Sequence, residues 1–292
     1  MPLAESPAFP SVPMKGLDTV WFQVAGSICN LACTHCFISC SPTNQSHAML
    51  DASTVKRFLA EAEGLGVREY YFTGGEPFLN PDLPAILGAA LRLGPATVLT
   101  NGTLITRGRA YDLKALADGS PYSLDIRLSL DGFDAAANDR IRGPGTFARI
   151  LEAIGYLAAA GINPVLTVTE ACEEAIDSAG RAGLLFRLRE MGLDKPRLKV
   201  MPLLRIGAET ARTRGYGEAE TLEGMALTAA DADALQCASG RMVTAKGVYV
   251  CPILIDSPDA RMGATLAETL KPFPLNHSAC YTCHAQGLNC RT

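Results

Sequence analysis

Cys29, Cys33 and Cys36 are separated by three and two residues, so a single loop can present three thiolates to one metal centre. Three thiolates can hold three irons of a four-iron cubane and leave the fourth iron without a protein ligand. A four-cysteine ferredoxin pattern would saturate such a cluster and confine it to electron transfer. An iron with an open position can instead bind a reactant, as open sites do in catalytic metal centres generally. A zinc site is the other reading of three close cysteines. Cys40 follows after three more residues and reads as a bystander, because that spacing continues the pattern awkwardly. A second group, Cys237, Cys251, Cys280, Cys283 and Cys290, has the pattern C-x13-C-x28-C-x2-C-x6-C. Its close pair, with a hairpin between its first two cysteines, can enclose one further metal centre, and zinc is the default on the residues alone. Cys172 stands apart from both groups.

The rest of the chain favours metal over disulfide chemistry. Disulfide frameworks belong to small secreted domains that cannot build a core. Here 292 residues, 48% of them hydrophobic, supply one, and residues 1–15 hold four prolines but no apolar stretch of the signal-peptide kind. No run approaches the ~18 consecutive apolar residues of a membrane helix, so a soluble, cytoplasmic protein with no membrane partner is expected. A net charge of −4 with no basic run lacks the footprint that phosphate backbones require, which argues against a nucleic-acid partner.

Both cysteine groups need a scaffold, and residues 18–203 carry a repeating one. Strand-like segments at 17–25, 69–73, 96–100, 124–130, 164–169 and 197–203 alternate with helix-like segments at 54–63, 83–93, 107–117, 147–160 and 173–191. The first helix has its apolar residues at Val55, Phe58, Leu59 and Ala62, behind Asp51 and Ser53, either of which fits as its N-cap. Six strands, each separated by a helix, imply an α/β fold with parallel pairing and right-handed crossovers. Periodicity leaves both a partial barrel and an open doubly wound sheet standing. Beyond Leu204 the pattern breaks. Residues 205–223, with Arg212, Arg214 and Tyr216, read as a linker or substrate loop, and 242–250 reads as a hairpin turning at Lys246 and Gly247.

The spacing C-x3-C-x2-C, with His35 before the third cysteine, resembles the signature of the radical S-adenosylmethionine (SAM) superfamily. The resemblance implies that Cys29, Cys33 and Cys36 ligate a 4Fe–4S cluster whose open iron binds the amino and carboxylate groups of SAM. The reduced cluster would then cleave SAM to methionine and a 5′-deoxyadenosyl radical. Other segments support it. Gly74, Gly75, Glu76 and Pro77, after the second strand, resemble the family segment that faces the SAM ammonium, where glycines let backbone approach a ligand. Thr100 to Thr103 after the third strand, and Ser129 to Gly132 at the end of the fourth, resemble segments lining the SAM pocket. The implied cofactor-binding residues are His35, Gly74, Gly75, Glu76, Asn101, Ser129 and Asp131, with Ser129 on the ribose or carboxylate. Residues 138–143 resemble a stretch whose arginine pairs with the SAM carboxylate, and Arg142 fits that role ahead of Arg140, since a guanidinium fork suits a carboxylate. The first four segments fall at the C-terminal ends of successive strands, where parallel α/β folds place their sites. The resemblance covers residues 18–205 and implies a partial (β/α)6 TIM-like barrel.

Beside such a barrel the second group resembles a twitch domain, the shortened form of the SPASM extension, a small cysteine-rich β-hairpin domain with one auxiliary 4Fe–4S cluster. Cys237, Cys251, Cys280 and Cys283 fit its ligand pattern, and Cys290 makes a fifth cysteine for four positions, so Cys251 and Cys290 stay alternatives. The run from Gly247 to Pro252 resembles the family's hairpin but is one residue shorter after the glycine. His277 and His284 would favour zinc if they were ligands. The chain then divides into an extension (1–17), the barrel (18–205), a linker or substrate loop (206–236) and the auxiliary domain (237–292). A thiol facing the site could return a hydrogen atom to a substrate radical. Cys172, after the fifth strand, is the candidate donor, with a small buried hydrophobe as its other reading. The implied activity is radical dehydrogenation or epimerisation of a small natural product of sugar or aminocyclitol type, served by an electron donor such as flavodoxin or ferredoxin. The few residues before the first strand leave no room for a leader-peptide domain, which favours a small molecule. A peptide-modifying enzyme, forming a thioether, a carbon–carbon crosslink or a D-residue, is the alternative.

Overall fold

In the computed structural model, residues 9–172, 175 and 177–291 are described. Residues 1–8 of the extension, Glu173 at the start of the last expected helix, and Thr292 lie outside them. A two-residue strand, β1 (Ser11–Val12), precedes the main sheet. Six strands follow: β2 (Thr19–Gln23), β3 (Glu69–Thr73), β4 (Ala96–Thr100), β5 (Leu124–Ser129), β6 (Val165–Thr169) and β7 (Arg197–Met201). Each pairs in parallel with the next in chain order. Helices α1 (Ala52–Gly64), α2 (Leu83–Ala90), α3 (Arg107–Asp118), α4 (Ala135–Arg142), α5 (Thr146–Ala159) and α6 (Ser178–Glu190) occupy the crossovers. Among the described residues β7 gains no further strand, so the sheet is the expected partial barrel. Of the two caps weighed for α1, Asp51 serves, accepting from Thr54 N at 2.6 Å. Helix α4 was not expected: eight residues whose only large apolar side chain is Ile141 give no usable apolar period, and the Asp134 carboxylate starts it by accepting from Ala137 N.

Strand alternation sorts the two faces of the sheet. Val20, Phe22, Phe72, Val98, Ile126 and Leu166 pack outward against the helices, burying the apolar stripes of α1, α2 and α5. Their neighbours Trp21, Tyr71, Leu99, Arg127 and Met201 turn inward; the Trp21 and Tyr71 rings stack at 4.2 Å. The outward face is the stabilising core, and the inward face lines a cavity.

The C-terminal part contains α7 (Glu209–Arg212), α8 (Ala229–Ala234), β8 (Gly240–Thr244), β9 (Gly247–Tyr249), β10 (Arg261–Gly263), β11 (Phe273–Pro274) and α9 (Ser278–Ala285). Strand β8 pairs in parallel with the free edge of β2, setting Thr19 opposite Gly240, and β9 and β10 continue the sheet antiparallel. The hairpin and the barrel therefore share one sheet. The hairpin turns at residues 245–246, and Gly247 (φ +120°) opens the return strand instead of sitting in the turn. Strand β11 pairs with β1 and ties the start of the described chain to this region. No helix among the described residues is long and apolar enough to cross a membrane.

Candidate active site

The cysteine loop leaves the end of β2 and is tied down by backbone. Cys29 N donates to Ser41 O at 3.1 Å, and Cys36 N to Cys33 O at 3.2 Å. The end of β3 abuts the root of this loop: Gly75 N donates to Gly26 O at 2.8 Å and Glu76 N to Ile28 O at 3.0 Å. A Cβ on Gly75 would stand 1.9 Å from Ile28 O, so the close approach that this glycine permits is to the cysteine loop itself. Segment 207–208 braces the loop from another side, with Ala208 N donating to Cys36 O at 2.9 Å.

Cys29, Cys33, Cys36 and Cys40 face one cavity of about 230 Å³ at the C-terminal ends of the barrel strands, which His35, Gly74, Gly75, Asn101, Ser129 and Arg142 also line. Asn101 Nδ2 donates to Asn30 Oδ1 at 2.9 Å and reaches Cys29 Sγ at 3.6 Å. Burial pushes the Cys29 thiol up to about 12, against the hydrogen bonds from Leu31 and Asn101. Burial also raises Cys33, opposed by the positive charge of Arg142. Cys36 is held low by hydrogen bonds from Cys40, whose N–H lies 3.3 Å from its sulfur.

Two implied cofactor residues act from behind the wall. Glu76 is fully buried, accepting from Thr100 Oγ1 at 2.7 Å, Asn101 N at 2.8 Å and Phe78 N at 3.1 Å. It fixes the strand end that carries Asn101. Asp131 bonds His35 Nε2 at 2.7 Å and Arg142 Nη2 at 2.6 Å, and accepts from Thr169 Oγ1 at 2.8 Å. Burial alone would raise its pKa, but the charges of Arg142 and His35 overcome that and hold it well below the ordinary carboxylate range. Asp131 thus clamps two cavity-lining groups, one from the cysteine loop and one from α4. Each keeps a polar atom without a partner among the described residues, His35 Nδ1 and Arg142 Nε. A buried donor costs free energy when left unpaired, so these atoms fit a polar ligand in the cavity.

The second group assembles elsewhere. Cys237 lies in a single helical turn, Cys251 just past β9, and Cys280 and Cys283 one turn apart on α9. All four line a second, smaller cavity. Burial pushes Cys237 and Cys280 up to about 12 and raises Cys251 and Cys283. Beside them Arg241 is fully buried and, among the described residues, bonds only carbonyls, those of Cys237, Gly240, Thr269 and Lys271. A buried cation held by carbonyls fits next to a negatively charged thiolate cluster, since a buried charge otherwise goes uncompensated. His277 turns to Asp259 at 3.2 Å, and neither it nor His284 lines the second cavity.

Cys290 lines the barrel cavity and not the second one. Cys172 lines neither; it is buried in the core between sheet and helices. Sequence reasoning missed Arg127, which lines the barrel cavity from β5, and Arg241. The available signal was a cation at an alternate position of a strand otherwise destined for burial, as in LDIRLS.

Fold and site together define an α/β partial barrel with a three-cysteine loop at the C-terminal end of its first long strand. The model of the Radical SAM superfamily matches residues 24–171, just over half of the chain, and the chain belongs to that superfamily. Its members bind a 4Fe–4S cluster and SAM. The GTP 3′,8-cyclase of Chlorobaculum tepidum is 33% identical over 145 residues, covering 49% of this chain and 41% of the relative. The PqqA peptide cyclase of Streptomyces rochei is 35% identical over 156 residues, covering 52% and 40%. The chain thus matches about two fifths of the length of these curated relatives. In three dimensions it is similar to Streptococcus suis SuiB bound to the precursor peptide SuiA, with a TM-score of 0.65 at 19% identity over 91% of this chain and 66% of that one. At that identity the likeness is one of fold.

Proposed function

We propose that this chain abstracts a hydrogen atom from an unactivated carbon of a small natural product, of sugar or aminocyclitol type, and so dehydrogenates or epimerises it. Cys29, Cys33 and Cys36 hold the SAM-binding cluster, and Cys237, Cys251, Cys280 and Cys283 hold an auxiliary 4Fe–4S cluster. Bound SAM supplies a carbon radical when one electron arrives from a flavodoxin- or ferredoxin-class donor. The protein's part is to bind, orient and exclude water. Arg142, clamped by Asp131, offers its remaining donors to the SAM carboxylate, and Asn101 and Ser129 line the same wall. Gly74 and Gly75 present backbone rather than side chains there, while Glu76 and Asp131 act as positioning residues.

What supports a small substrate is that Met242, Pro252 and Ile253, all from the C-terminal part, line the same cavity as the loop cysteines, so that whatever reaches those cysteines packs against them, as a compact molecule does more readily than a length of peptide. The similarity to a peptide cyclase supports the second reading, a peptide substrate.

The test is stimulation of 5′-deoxyadenosine formation. Anaerobically reconstituted enzyme, SAM and dithionite are incubated with host extract divided by ultrafiltration into small-molecule and peptide fractions. The small-molecule fraction is expected to raise 5′-deoxyadenosine above background and to yield a compound either two hydrogens lighter or deuterated at carbon in D2O. Stimulation by the peptide fraction alone would sink this reading.

A further inference from the structure

We propose that Arg127 of β5 and Lys199 of β7 are charge-compensating residues of the second cysteine centre and set its reduction potential from the barrel wall. The inference rests on the reading that those cysteines hold an auxiliary 4Fe–4S cluster. Three observations carry it. Both cations bond the peptide at Cys290, Arg127 Nη1 donating to Cys290 O and Lys199 Nζ to Arg291 O. The two cavities adjoin, since Ile253 lines both, and Cys290 lines the barrel side. And the Cys290 thiol is within electrostatic reach of Cys251 and Cys283 of the second group as well as of Arg127 and Lys199.

Neither cation finds its counter-charge in the barrel. Arg127 is fully buried, and its other hydrogen bonds among the described residues reach only Thr167 Oγ1 and Met201 Sδ. Asp125, whose charge reaches Arg127 from the same strand, is paired with Arg197 at 2.7 Å. Thr167 stands opposite Lys199 in the register of β6 and β7, so the two positive charges flank one residue and repel each other. Two like charges taken out of water together are costly unless an anion faces them. An iron–sulfur cluster held by four thiolates is such an anion. Arg241 of β8 also faces Cys237 and Cys251, so cations from three strands face this one group. The loop cysteines have their own cation in Arg142.

Charge has a consequence that fastening alone does not. A reduced cluster carries one more negative charge than the oxidised one, so a fixed positive charge nearby favours reduction and raises the potential. Salt screens buried charges little, so the effect persists at ordinary ionic strength. A neutral side chain that donates the same hydrogen bond keeps the tail in place but gives up this effect.

The test is a redox titration of the anaerobically reconstituted full chain, followed by electron paramagnetic resonance, with iron counted per chain. Cys33→Ala is titrated alongside to identify the signal of the second centre. Arg127→Gln and Lys199→Gln keep an N–H donor for the tail carbonyls without the charge, while Arg127→Lys and Lys199→Arg keep the charge. Both glutamine variants are expected to retain the wild-type iron content and to lower the potential of the second centre, with the first unmoved. The charge-keeping variants are expected to hold the wild-type potential. Lost iron or an unmoved second centre in the glutamine variants overturns the proposal, as does an equal shift in both centres or in the charge-keeping variants. Lys199 is only half-buried, so Lys199→Gln carries the test if Arg127→Gln fails to fold. If Cys33→Ala gives no iron–sulfur signal at all, the auxiliary-cluster reading falls and this inference with it. A second cluster that ignores both charges removes the inference alone.

Discussion

The two cysteine groups are built in opposite ways. The first spans eight residues of one loop, held by its own backbone and by the adjoining ends of β2 and β3. The second draws four thiols from a helical turn, the exit of a hairpin and one face of α9, across 47 positions from 237 to 283. Those pieces meet because β8 docks on the edge of β2 and Arg241 stitches the Cys237 carbonyl to those of Thr269 and Lys271. A local site depends on chain stiffness over a few residues. A composite site depends on every contact that brings its parts together, so loosening the tertiary structure harms it first.

The largest effect separates the groups outright. Cys33→Ala is expected to abolish 5′-deoxyadenosine formation and remove about four irons per chain while leaving the absorption of a second cluster; chromatography and iron analysis read both. Next comes Arg241→Met, which deprives several buried carbonyls of their donor and should destabilise the fold by about 3–5 kcal/mol. It should empty the second site while the first retains its iron. Equal loss from both groups would contradict the contrast drawn above.

Asp131→Asn probes the wall of the first site. Breaking its bonds to Arg142 and His35 should cost ~2–3 kcal/mol, read as a lower Tm. The folded-state pKa of Asp131 lies below the unfolded value, so its contribution is fully present above about pH 4 and is lost as pH falls below that. Wild type should therefore lose stability on acidification below about pH 4 more steeply than Asp131→Asn; parallel slopes would contradict this. The smallest effect belongs to Cys172→Ala. It removes one buried sulfur from the helix-side core, costs about 1 kcal/mol, and leaves unchanged the deuterium that 5′-deoxyadenosine takes up when SAM is cleaved in D2O. A variant that lost the label would restore Cys172 as donor.

Much of this was legible before any coordinates. The strands at 69–73 and 96–100 match the expected bounds, and the other barrel strands differ by a few residues at their ends. Alternating runs bounded by Gly, Pro and caps encode strands locally. Less legible was the direction of each functional side chain. Glu76 follows the two glycines in the run, yet its carboxylate turns away from the cavity to hold Thr100 and Asn101. Asp131 sits in a cofactor-like segment and serves as the clamp behind it, and the helix that carries Arg142 was too short to give a period.

By itself, then, the sequence determined the cysteine loop, the order of the parallel strands and the places where strand ends meet the site. All of these follow from spacing within a few residues. Only the tertiary structure decided that β8 would extend the barrel's sheet, that four late cysteines would share one cavity, and that the peptide at Cys290 would line the other. Those outcomes depend on an irregular tail with no period to read. Its path is set by long-range contacts, chiefly the grip of Arg127 and Lys199 on two carbonyls more than 90 positions away.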